Sequence, residues 1–105
     1  MVKIIKFSFD EILLDQDAVS AAICKACVRK VPAKVAGICQ IGETLMVSVE
    51  EIRKVTSTKY VIAPFPAVNE DEAAGEIKSR YYAGFSTIGV FMIDEKRWAL
   101  FAKEK

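Results

Sequence analysis

The chain is predicted to be an α+β domain of two β-α-β-β units, mostly antiparallel sheet with two helices packed on it. Three observations predict this. Val and Ile supply eleven residues each against four Leu, and β-branched side chains lose rotamer freedom in helices but pack well on pleated sheets. The apolar period switches from two to 3.6 and back, twice along the chain. Each unit closes on two extended runs joined by a short polar connection, the mark of a hairpin. The same element order also suits an alternative, a ferredoxin-like β-α-β-β-α-β sheet with an extra C-terminal strand.

Residues 2–9 set Ile5, Phe7 and Phe9 on one face and Lys6 and Ser8 on the other, the pattern of a half-buried strand. Over residues 15–30, Val19, Ala22, Ile23, Ala26 and Cys27 recur at helical spacing. Asp15 or Asp17 can cap the start, while Lys25, Arg29 and Lys30 suit the C-terminal end of the dipole. Pro32 ends this helix. Residues 34–41 and 44–50 then flank Gly42-Glu43 as a hairpin, and residues 51–58 read as a polar connector.

The order then repeats. Residues 59–63 form a short strand stopped by Pro64 and Pro66, and Asn69 caps a helix with Glu70, Asp71 and Glu72 in its first turn. Its expected buried stripe is Ala73, Ala74, Ile77 and Tyr81, and Gly84 closes it. Residues 85–93 and 97–103 flank Asp94-Glu95-Lys96 as a second hairpin. Gly37–Ile41 aligns with Gly89–Ile93, and Leu45-Met46-Val47 with Trp98-Ala99-Leu100 if the second turn carries one extra residue. The chain is therefore expected to be one domain, 1–105, with an internal repeat of units 1–52 and 59–105.

The late strands are apolar on both faces, Phe91 and Ile93 opposite Ile88, Val90 and Met92, then Trp98 and Leu100 opposite Ala99 and Phe101. With two helices to cover them, a second protomer is the expected cover, so Phe91, Trp98 and Phe101 are the interface candidates. A short chain that is 52% hydrophobic points the same way, to a homodimer.

Composition excludes several functions. Lys and Arg number 15 against 14 Asp and Glu, a net charge of +1, and the halves carry −1 and +2. Such a balance offers no footprint for nucleic acid. Histidine is absent, which removes the commonest general acid-base and metal ligand. No run approaches the 18 or so apolar residues of a membrane span, and the first residues lack the apolar core of a secretion signal. Three cysteines without such a signal fit a reducing compartment, so a cytoplasmic location is expected.

The one recognisable chemical string is Cys24-Lys25-Ala26-Cys27. Redox pairs with this spacing sit at a helix N-terminus, whereas this one lies about two turns inside, so both cysteines read as small core residues. Cys39 still leaves a zinc site one ligand short, and neither metal nor cofactor is expected. Arg80, Tyr82 and Arg97, near Lys78, Tyr81 and Trp98, are the ligand-binding candidates, because guanidinium and aromatic groups furnish anion pockets as well as interfaces. The acidic run at residues 70–72 is accounted for by the helix dipole, Ala63-Pro64-Phe65-Pro66 by the stopping of an edge strand, and no glycine pattern makes a phosphate loop.

These readings favour a homo-oligomeric interaction or scaffold protein without catalytic activity, open to a further protein partner. The alternative is a small-molecule-binding regulatory module of ferredoxin-like type. An enzyme built on Tyr, Arg, Lys or a carboxylate would need a paired nucleophile and base, and the sequence offers none.

Overall fold

The structure is a computed structural model and describes residues 2–28, 31–53 and 58–104. Strand β1 (Val2–Ser8) ends in a reciprocal cap. The Ser8 hydroxyl accepts the Glu11 N–H at 3.2 Å, and the Glu11 carboxylate accepts the Ser8 N–H at 3.4 Å. That pair starts a short helix, α1 (Phe9–Leu14), at Phe9, which the alternating pattern places as the last residue of the strand. Asp15 then caps α2 (Gln16–Cys27), its carboxylate accepting the Ala18 N–H at 3.0 Å. The expected last turn at Arg29 and Lys30 lies outside the described residues.

Strands β2 (Ala33–Ile41) and β3 (Thr44–Glu51) form the first hairpin, with Gly42 at φ +58° in a two-residue turn. Of the expected connector, residues 54–57 lie outside the described residues. Strand β4 (Thr58–Pro64) leads through residues 65–67 to α3 (Glu70–Tyr82), capped by Asn69, whose side chain accepts the Glu72 N–H at 2.9 Å. Gly84, at φ +95°, lets the Phe85 N–H reach back to the Arg80 carbonyl at 2.8 Å and ends the helix as expected. Strands β5 (Ser86–Ile93) and β6 (Lys96–Glu104) complete the chain. Their turn holds two residues, Asp94 and Glu95, both with positive φ. Lys96 opens β6, so no extra residue is needed, and Leu45 corresponds to Arg97 and Met46 to Trp98.

The described strands form two antiparallel sheets, β1-β3-β2 and β4-β6-β5. The units thus share one strand order, and both hairpins slip register at corresponding places, between Val35 and Gly37 and between Thr87 and Gly89. Order, turn length and bulge coincide while identities between the halves stay few, and this likeness of topology is as far as the internal repeat is carried. The ferredoxin-like alternative would join both units in one sheet. Here α2 lies along the free edge of β4, and the second unit keeps a sheet of its own.

The main core lies between the inner faces of the two sheets. It gathers Phe7, Leu45, Val47 and Val49 from the first sheet, Tyr60, Ile62, Phe91, Ile93 and Leu100 from the second, and Phe9, Ile12, Val19 and Ile23 from α1 and α2. The rings of Phe9 and Phe91 stack at 6.4 Å. A smaller core of Phe65, Ala67, Ala99 and Phe101 packs on the opposite face of the second sheet over β6, with Ala73 of α3 and Phe85 against it, and leaves Val90 and Met92 of β5 partly exposed.

Both faces of β6 are therefore covered from within one chain, which corrects the expectation that a second protomer was needed there. The cover that two helices alone could not supply comes from residues 65–67, which fold back over Ala99 and Phe101. The stripe of α3 is corrected too. Ala73 packs inward, but Ala74, Ile77 and Tyr81 are exposed, and Glu76 and Arg80 take the inward positions. A small core already filled by Phe65 leaves room over Phe101 for a flat guanidinium, so the helix turns its arginine inward.

Candidate interaction surface

The three ligand-binding candidates do not converge. The Arg80 guanidinium lies 4.7 Å from the centroid of the Phe101 ring and its Nε donates to Glu76 Oε1 at 3.0 Å, a structural pairing of a half-buried cation. Arg97 donates from its Nη1 to the Ala67 carbonyl and so ties down the segment that covers Phe101. Tyr82 is exposed and meets Tyr81 edge-on, with centroids 6.0 Å apart. Arg97 and Phe101 are four residues apart on β6, about 13 Å along a strand, so the two guanidinium groups serve different places.

The interface candidates are also relocated. Phe91 and Phe101 are 3% and 1% exposed, and Trp98 is half-buried against the main core. Phe91 and Phe101 are thus sealed inside the chain, while Trp98 keeps part of its ring at the surface.

The cysteines sit where the helix meets the second sheet. The Tyr60 N–H donates to Cys24 Sγ at 3.3 Å, and the thiol donates to the Tyr60 carbonyl at 3.4 Å. The Cys27 side chain borders the hydroxyl of the same tyrosine. One turn earlier, Ser20 Oγ accepts the Ile62 N–H at 2.9 Å and donates to the Gln16 carbonyl at 2.8 Å. Ser20 and Cys24, spaced i and i+4, therefore stand in for a neighbouring strand along β4. Among the described residues no group of three or more His, Cys, Asp or Glu could hold a metal ion, and no helix is long and apolar enough to cross a membrane.

The opposite edge of the second sheet is met in the same manner. The Gln40 carboxamide donates from Nε2 to the Met92 carbonyl at 2.7 Å and accepts the Met92 N–H on Oε1 at 3.0 Å. Beside it, Gly89 brings β5 against Ile38 of β2. Both edges of the second sheet are thus occupied by side chains of the first unit.

Among the described residues two open apolar surfaces stand out. On the outer face of the first sheet Val2, Ile4 and Lys6 of β1 lie beside Met46, Ser48 and Glu50 of β3 and Lys34, Gly37, Cys39 and Ile41 of β2. Val2, Ile4 and Ile41 are 60%, 46% and 62% exposed, and no helix covers this face. The second is a groove of about 510 Å³ between the edge of β1 and α2. A further cleft of about 560 Å³ between Lys34, Arg53, Tyr60 and Glu104 mixes both signs of charge. Comparison with protein-family models, with curated proteins and with solved structures finds none that matches this chain.

Proposed function

We propose that this chain is a non-catalytic interaction module that forms a homodimer through the outer face of its first sheet. The contrast between two equivalent faces carries the reading. The second sheet's outer face is covered over β6 by Phe65, Ala67 and α3, with Val90 and Met92 of β5 partly exposed beside it, whereas no helix lies over the first sheet's, because its own helix α2 is engaged along β4. An apolar sheet face of this kind on a small chain is a surface for association. A second copy suits it because the face carries both signs of charge, Lys6 and a Lys34–Glu50 ion pair at 3.5 Å, so a two-fold arrangement can offer Glu50 of one copy to Lys6 of the other. The absence of histidine from the sequence, and of a catalytic nucleophile–base pair recognisable among the described residues, supports a role without catalysis.

Sedimentation equilibrium tests the reading. A dimer is expected, and Met46→Lys, which sets a charge in the middle of the face, is expected to yield a folded monomer. Cys39 supplies an independent probe, as it is the exposed cysteine of the three. Its labelling by a maleimide is expected to slow as protein concentration rises. A monomer at every concentration, with Cys39 labelled at one rate throughout, would overturn the dimer.

A further inference from the structure

The groove between β1 and α2 differs from the face just described, and its chemistry selects another occupant. The Phe9 N–H donates to the Glu43 carbonyl at 3.0 Å, and Phe9 continues the β1–β3 register at Ser8 and Thr44. In an antiparallel ladder the bonded residues alternate, so Phe7, Ile5 and Lys3 bond to β3 while the N–H and C=O groups of Val2, Ile4 and Lys6 point away from it. On β4 the groups in the corresponding positions, those of Tyr60 and Ile62, are taken up by Cys24 and Ser20. Helix α2 borders β1 as well, but with Ala22, Lys25 and Ala26, two of which carry no polar side-chain atom and the third of which can only donate, so none can accept a main-chain N–H as Ser20 and Cys24 do on β4. Among the described residues the gap is lined by Lys3, Lys6 and Lys25 and by no acidic residue.

We infer that this groove binds an extended acidic segment of a protein partner, added to the first sheet as a strand beside β1. The outward main-chain groups of Val2, Ile4 and Lys6 supply the ladder, the alanines of α2 leave depth for alternate side chains, and the three lysines select carboxylates. A second copy of β1 is disfavoured, since it would bring Lys3 and Lys6 against their own kind.

A blocked, fluorescein-labelled peptide of alternating Glu and Val is the probe, with a Lys-Val peptide and an oligothymidylate as controls, followed by fluorescence anisotropy. The Glu-Val peptide is expected to bind, less tightly as salt rises, and to protect the Ile4 and Lys6 amides from hydrogen exchange. Lys25→Glu, an exposed change, is expected to weaken it about tenfold. Ile4→Pro removes an N–H that faces away from β3, so it leaves the ladder intact and abolishes binding. Met46→Lys, which disrupts the proposed dimer face but does not line the groove, is expected to retain binding. The inference is overturned if the Glu-Val peptide does not bind, if either control binds as well, or if Lys25→Glu and Ile4→Pro leave affinity unchanged. Loss of binding in Met46→Lys would also overturn it, by moving the contact to the outer face.

Discussion

Ser20 and Ile62 are joined by a buried bond between the halves of the chain, the Ile62 N–H donating to Ser20 Oγ at 2.9 Å across 42 residues of sequence. Ser20 is 8% exposed and its hydroxyl hydrogen is spent on the Gln16 carbonyl, so both capacities of the side chain are used. Ser20→Ala would strand the Ile62 amide against α2, beyond the reach of water. The expected loss is about 1–3 kcal/mol in chemical denaturation, the cost of a buried donor left without a partner. Faster exchange of the Ile62 amide should accompany it, and an unchanged midpoint with an unchanged exchange rate would contradict the assignment.

Gly37 and Gly89 occupy corresponding places after the bulges of the two hairpins, yet they should answer mutation differently. A Cβ on Gly89 would stand 2.7 Å from Ile38 Cγ1 and 2.8 Å from Cδ1, whereas one on Gly37 would meet nothing within 4 Å. Ile38 is β-branched and holds β2 against β5, so it yields little. Gly89→Ala is expected to cost about 1–3 kcal/mol by overpacking, with much of the loss recovered when Ile38→Ala is added. Gly37→Ala is expected to fall within about 0.5 kcal/mol of the parent, as for a surface change. Equal effects at the two glycines would refute the close approach.

Local signals were legible and long-range cover was not. Asn69, Asp15, Gly84 and the first hairpin follow from side chains acting within a few residues of themselves and stand where the sequence reading expects them, and the second hairpin forms with a turn one residue shorter than expected. Helix α1 was missed although its signal is present, since Ser8 and Glu11 form a capping box ahead of Ile12; the alternation that made Phe9 look like strand outweighed it. The inward turn of Arg80 depends on Phe101, 21 residues on, and the sealing of Phe101 depends on Arg97 holding Ala67. No periodicity within α3 encodes either. The candidate surfaces were hidden for the same reason, as the first sheet's outer face is bare only because α2 is drawn to β4 by Ser20 and Cys24. A C-x-x-C read as two small core residues proves to include a main-chain partner for Tyr60.

Thr87 precedes the bulge in β5, and its hydroxyl oxygen is buried without a hydrogen-bond partner among the described residues. A hydroxyl in that state carries a desolvation cost that nothing offsets. Val has the same shape and an equal taste for strand, so Thr87→Val should raise stability by about 1 kcal/mol. Thermal unfolding monitored by circular dichroism would measure it. A destabilised Thr87→Val protein would mean that the hydroxyl has a partner after all.

Tyr60 couples the two units through its hydroxyl, which accepts the Val35 N–H at 3.0 Å from a side chain that is 3% exposed. Burial pushes this hydroxyl above the ordinary tyrosine value of 10.0, although the Val35 bond pulls the other way. A group whose folded pKa is raised holds its proton more tightly in the native state. Its contribution to stability is therefore complete below pH 10 and is lost as pH climbs from there through the folded value. Tyr60→Phe should cost about 1–3 kcal/mol near neutrality, because the Val35 amide loses its acceptor. The parent should then lose stability on alkaline titration more steeply than Tyr60→Phe, so that the two denaturation midpoints approach each other above pH 10. Parallel curves across that window would show that the Tyr60 proton is not linked to folding.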